Sequence, residues 1–155
     1  MVTLRKITLQ NVDDIIALKA DRKLVLHNEG SLADAFAYWS ERGYPPLVYG
    51  IYSGEVPVGF VKVTYWQDDD RDNANIPYYF LHRLMVDEQA QGKGYGYDAM
   101  KLVIAEVKKQ PTGYANAFFT STHGENATKL YEKLGFKRTY READGEELEL
   151  RYDLS

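Results

Sequence analysis

Apolar and polar residues nearly alternate from Val2 through Leu4 and Ile7 to Thr8, which predicts an opening strand. Asn11 then offers a helix N-cap, followed by Asp13 and Asp14 in a first turn where the macrodipole favours anions. Ile15, Ile16 and Leu18 supply that helix's apolar face. Asn28-Glu29-Gly30-Ser31 reads as a break, with Ser31 capping a second helix through Ala35, Phe36, Tyr38 and Trp39. Gly43-Tyr44-Pro45-Pro46 ends it. Residues 47–52 and 57–66 are predicted as a hairpin around the turn Ser53-Gly54-Glu55. A polar loop, 67–73, leads to a strand over 77–86. The period becomes helical over 94–109, with Met100, Val103, Ile104 and Val107 on one face. Residues 115–121 read as a strand, and 126–134 as a helix closed by Gly135 at the C′ position. Strands 136–141 and 147–152 flank the turn Asp144-Gly145. The order β-α-α-β-β-β-α-β-α-β-β predicts a single α/β (mixed α+β) domain over residues 1–155 with a mixed sheet.

Composition narrows the chemistry. With Lys+Arg 19 and Asp+Glu 23, the net charge of −4 speaks against a general nucleic-acid binder and suits a cationic partner. The chain has no cysteine, which removes disulfides, thiolate metal sites and a cysteine nucleophile. His27, His82 and His123 lack zinc-ligand spacing, so no metal is expected. Met1-Val2-Thr3-Leu4-Arg5-Lys6 has no basic-then-apolar signal pattern, and no apolar run is long enough to span a bilayer. A cytoplasmic protein without a membrane partner is the expectation.

The most informative stretch is Leu84-Met85-Val86-Asp87-Glu88-Gln89-Ala90-Gln91-Gly92-Lys93-Gly94-Tyr95-Gly96, a strand running into a glycine loop and then a helix. Glycines let backbone approach a ligand, and the unpaired N–H groups of a helix's first turn bind anions. Lys93 adds a positive charge, so a pyrophosphate is the natural guest. The P-loop pattern fails because Gly94, not Ser or Thr, follows Lys93. A dinucleotide fingerprint can be drawn through Gly94, Gly96 and Ala99, but 114–121 holds no acidic residue for the ribose.

Gln91-Gly92-Lys93-Gly94-Tyr95-Gly96 resembles the Gln/Arg-x-x-Gly-x-Gly/Ala signature of the GNAT N-acetyltransferase superfamily. The segment Asn126-Ala127-Thr128-Lys129-Leu130-Tyr131-Glu132-Lys133-Leu134-Gly135-Phe136 resembles that family's second motif. Together with Arg83-Leu84-Met85-Val86, the pattern is most similar to bacterial spermine/spermidine acetyltransferases. The resemblance covers essentially the whole chain. It implies a mostly antiparallel sheet of about seven strands with a splayed parallel pair, flanked by about four helices. It implies acetyl-CoA as cosubstrate, with backbone groups of Leu84, Met85 and Val86 along the pantetheine arm, near a thioester that amides close to Val86 polarise. Amides of Gln91, Gly92, Lys93, Gly94, Tyr95 and Gly96 hold the pyrophosphate.

Tyr131 matches the tyrosine that protonates the departing thiolate, although a helical aromatic is also an ordinary core residue. Asn126 matches a CoA contact and equally suits an N-cap. Many members place a glutamate where this chain has His82, so His82 is the candidate base, against a structural histidine. Strand alternation would set His82 on one face with Leu84 and Val86.

Acetyl transfer needs a neutral amine, and near pH 7.4 only about one alkylamine in a thousand is neutral, a cost of about 4 kcal/mol. A carboxylate at the reacting nitrogen would worsen this. Acidic groups should instead grip a distal ammonium, which suits a polyamine such as spermidine or spermine. The candidates are Glu29, Asp68, Asp69, Asp70 and Asp72. A charge run is also what an ordinary solvated loop looks like. Another amine (an aminoglycoside, a peptide or a protein lysine) or a non-catalytic acyl-CoA sensor are the alternative readings. Family resemblance also allows a homodimer.

Overall fold

The computed structural model describes residues 1–20, 28–43, 45–66, 77–110, 117–143 and 147–154, with side chains 141–143 left aside. The elements are β1 (Val2–Lys6), α1 (Val12–Ile16), α2 (Asn28–Arg42), β2 (Leu47–Ser53), β3 (Val56–Trp66) and β4 (Tyr78–Val86). They continue with α3 (Tyr95–Lys108), β5 (Ala117–Thr122), α4 (Glu125–Lys133), β6 (Lys137–Ala143) and β7 (Glu147–Asp153), the order expected from the sequence. The strands form one seven-stranded sheet in the order β1-β2-β3-β4-β5-β7-β6. β1–β2, β2–β3, β5–β7 and β6–β7 pair antiparallel, and β4–β5 pairs parallel through Tyr79–Phe118 and Phe80–Phe119.

Two compact units divide the chain: Met1–Val63 with His82–Leu102, and Thr64–Leu81 with Val103–Ser155. In the first, Ile15, Tyr52, Phe60 and Met85 form a buried cluster, with Ile7, Leu18, Leu32 and Val48 packed on it. β3 contributes because its residues are almost all buried, and burying a side chain such as Phe60 fully contributes roughly 1.5–3 kcal/mol. At Gly59 a Cβ would lie 2.5 Å from the Met85 carbonyl oxygen, so only glycine lets β3 approach β4 this closely.

The second unit centres on Phe118 and Leu150, both wholly buried. Rings of Phe118, Tyr131 and Tyr152 each stand about 5.5 Å from Phe136. α4 ends in a Schellman motif: Phe136 N–H donates to Tyr131 O (3.0 Å) and Gly135 N–H to Glu132 O (3.1 Å). Gly135 carries the left-handed φ of 106° that this ending requires.

Three predicted caps are corrected. Asn11 occupies the N-cap position of α1 as expected but makes no side-chain capping bond: its Oδ1 accepts from Thr8 N–H (2.8 Å) and its Nδ2 donates to Lys6 O (3.0 Å), bracing the turn before the helix. Ser31 lies inside α2, which is already helical at Asn28. The buried Asn28 amide donates to Ile15 O (2.9 Å) and accepts from Arg83 Nε (3.1 Å), so tertiary bonds offset its poor helix propensity. α4 starts one residue before Asn126, with extended Gly124 at its N-cap.

Candidate functional site

Where β4 ends, the backbone sets up the glycine loop. Asp87 N–H donates to Val58 O (2.8 Å) and the Met85 carbonyl faces Gly59, so Met85 and Asp87 turn their backbone groups toward β3. Strand alternation then points the backbone groups of Leu84 and Val86 away from β3, while the Met85 side chain is buried in the core. The Gln91 side-chain amide donates to Val86 O (3.1 Å), folding the loop back on the strand end.

Asp87, which the sequence reading did not single out, is the loop's anchor. Its carboxylate accepts from Lys19 N–H and Gln89 N–H, both at 3.0 Å. Ala90 N–H then donates to Asp87 O (2.8 Å) and Glu88 N–H to Lys19 O (2.9 Å). Aspartate directly after a strand, closing a turn onto the amide two residues on, was the available signal.

Gly92 and Gly94 have φ of 79° and 80°, and among the described residues a Cβ at either would meet nothing within 4 Å. Both glycines are therefore required by backbone conformation. The first helical bond of α3 runs from Asp98 N–H to Gly94 O (3.1 Å). The amides of Tyr95 and Gly96 precede it, beyond reach of any helical carbonyl, and Lys93 is exposed beside them. A helix N-terminus and a lysine thus meet beside two left-handed glycines, the kind of arrangement in which backbone amides and a cation attract anions. On the loop's flank is a cavity of about 690 Å³ lined by Lys19, Val58, Asp87, Gln89, Lys93 and Tyr95, among others.

His82 does not behave as simple alternation predicts. Its Nδ1 lies 3.7 Å from Asp34 Oδ2 and its ring stands edge-on to Tyr38 at 6.3 Å, both on α2. Met85 also reaches α2, through its Sδ and Asn28 Nδ2, so His82 and Met85 face the same helix. Arg83 reaches Asn28 as Met85 does, so alternation is interrupted between His82 and Arg83 and resumes over 83–87; His82 therefore does not share the face of Leu84 and Val86. Burial and the nearby Lys62 ammonium push the His82 pKa below its usual value, against the opposing pull of Asp34.

Lys62 and Asp34 are the residues sequence reasoning missed. The Lys62 side chain is wholly buried, and its Nζ donates to Asp34 Oδ2 (2.6 Å) and to Ser31 O (3.2 Å). The signal was present: a lone charge in the apolar run Val58-Gly59-Phe60-Val61-Lys62-Val63.

Tyr131 is buried on α4, and burial raises its pKa above the ordinary phenol value despite a side-chain hydrogen bond with Thr120. Asn126 is exposed in the first turn of α4, and Glu29 is exposed in the first turn of α2. Asp68, Asp69, Asp70 and Asp72 lie outside the described residues. Among the described residues there is no group of three or more His, Cys, Asp or Glu that could hold a metal. No described helix is long and apolar enough to cross a membrane.

The chain is 35% identical over 97 residues to the spermine/spermidine N(1)-acetyltransferase of Bacillus subtilis (strain 168), covering 61% of this chain and 60% of that protein. It thus spans about three-fifths of the length of the curated relatives it matches. Among solved structures, an N-acetyltransferase from Staphylococcus aureus Mu50 superimposes with a TM-score of 0.69 at 16% identity, covering 100% of this chain and 99% of that one. A chain of the NatC complex bound to Gag peptide and CoA gives 0.68 at 17% identity, with 99% of each chain covered. The Acetyltransferase (GNAT) family profile matches residues 12–136, across the glycine loop and the Tyr131 helix, and the chain belongs to that family.

Proposed function

We propose that this protein transfers the acetyl group of acetyl-CoA to a primary amine of a polyamine, in a direct attack without an acyl-enzyme. One observation carries the reading: two left-handed glycines, beside which no described residue lies within 4 Å of an added Cβ, stand with the exposed Lys93 at the N-terminus of α3. That arrangement suits the diphosphate of a CoA thioester. Backbone groups of Leu84 and Val86, turned away from β3, suit an extended pantetheine arm in the manner of an added strand, with Met85 contributing through its backbone.

Acetyl-CoA brings the activated acetyl group, and the chain's residues manage protons around it. His82 takes the proton that the amine nitrogen sheds as the new C–N bond forms and the C–S bond breaks. A depressed pKa keeps His82 neutral and able to accept at physiological pH. Tyr131, held protonated by burial, gives its proton to the departing thiolate. Asn126, exposed at the start of α4, is a further coenzyme contact.

The choice of a polyamine rests on the activity named for the Bacillus subtilis relative and on the acidity of the chain. Glu29, exposed on α2, and the run Asp68, Asp69, Asp70 and Asp72 are the proposed grips for distal ammonium groups. The test is thiol release from acetyl-CoA with spermidine, spermine, an aminoglycoside and a peptide amine. Turnover is expected to be largest with the polyamines. Acetyl-CoA binding with no turnover on the panel would make the protein a sensor, and turnover confined to the peptide would refute the substrate assignment.

A further inference from the structure

We infer that Lys62 is a positioning residue for proton acceptance at His82: its buried ammonium locks the Asp34 carboxylate that faces the imidazole and balances that carboxylate's charge. This rests on the reading of His82 as the proton acceptor. Lys62 Nζ at 2.6 Å and His82 Nδ1 at 3.7 Å both face the same oxygen, Asp34 Oδ2, so one carboxylate atom couples the two.

Stability alone does not account for the lysine. β3 is otherwise apolar around it, and a wholly buried ammonium is expensive to desolvate. Replacing such a pair with apolar side chains of similar volume is often neutral or stabilising. What a leucine or methionine could not do is hold a positive charge beneath Asp34. Without Lys62, Asp34 would sit beside His82 as an uncompensated anion and draw a proton onto the ring. With it, the carboxylate can stand 3.7 Å from Nδ1 while the ring stays neutral.

The charged and titratable groups around His82 come from each neighbouring element. α2 contributes Asp34 and Tyr38, with Arg42 and Glu41 acting on Tyr38. β3 contributes Lys62, and β4 contributes Arg83, whose Nε is tied to Asn28 Oδ1 at 3.1 Å. Lys62 also lies 5.4 Å from the Tyr38 ring centre, so the ring that stands against His82 shields the ammonium as well.

The test is the acid limb of kcat/KM for spermidine in the full-length wild type, Lys62→Met, Asp34→Asn and the double variant. Lys62→Met should move the limb up by about one pH unit, and Asp34→Asn should move it down. The double variant should return toward wild type. Opposite shifts are not what a merely structural role produces. A limb that neither variant moves, or that both move the same way, overturns the proposal.

His82→Gln separates this proposal from the reading beneath it. If His82→Gln keeps the wild-type limb, His82 is not the proton acceptor and that reading fails. If it abolishes the limb while Lys62→Met and Asp34→Asn leave it in place, only the role of Lys62 fails. Should a variant turn over too slowly for kinetics, NMR titration of the His82 ring, assigned with His82→Gln, reads the same opposed shifts.

Discussion

Substituting Gly94 by alanine separates the backbone role of the glycine loop from its ligand role. Gly94 has φ +80°, and forcing an alanine into the left-handed region costs about 1–2 kcal/mol. The added Cβ meets no atom of the described residues within 4 Å, so no packing clash with them adds to that figure. For a chain of this size the expected fall in Tm is about 2–8 °C. Gly54, in the hairpin between β2 and β3, is the matched control: its φ is +61° and its Cβ would also meet nothing within 4 Å. Gly54→Ala should therefore lose similar stability. If the space beside Gly94 takes the coenzyme's diphosphate, only Gly94→Ala should lose acetyl-CoA affinity, by at least about tenfold or ~1.4 kcal/mol. Calorimetric titration of both variants with acetyl-CoA, below their melting range, makes the comparison. Unchanged affinity in Gly94→Ala, or equal losses in both variants, would refute that placement of the diphosphate.

Tyr131→Phe should lower kcat by roughly 10²–10⁴, while losing one hydrogen bond worth about 0.5–1.5 kcal/mol in a melting curve; unchanged kcat would make Tyr131 a core residue. Because its pKa lies above that of an ordinary phenol, Tyr131 should give wild-type kcat no basic limb below about pH 10. Gly135→Ala should destabilise by at least about 1–2 kcal/mol, since φ is +106° and the new Cβ would sit 3.2 Å from Tyr152 Cε2; chemical denaturation reads it. For His82 the folded pKa lies below the unfolded one, so the unfolded chain binds more protons as pH falls through about 6.5. Its contribution therefore favours folding less at acid pH, and Tm should fall less steeply from pH 7 to 5.5 in His82→Gln than in wild type.

Much of this protein was legible locally. A strand, a glycine loop and a helix over residues 84–108 follow from apolar period, left-handed glycines and helix-start chemistry, all set by residues a few positions apart. The same holds for Gly135, whose left-handed turn ends α4 and brings Phe136 back onto Tyr131. Where propensity competed with distant partners, the sequence misled. Asn28 looked like a helix breaker until Ile15 and Arg83 satisfied its amide, and Asn11 spends its side chain on Thr8 and Lys6 instead of the helix. Alternation assigned His82 a face that its contacts with α2 overrule. The Lys62–Asp34–His82 cluster joins positions from β3, α2 and β4 that no local rule relates. Local residues determine backbone conformation because its energies are short-ranged. Which charge lies beside which base depends on burial and on chain segments that meet only once the strands have paired, and that was decided by the tertiary structure.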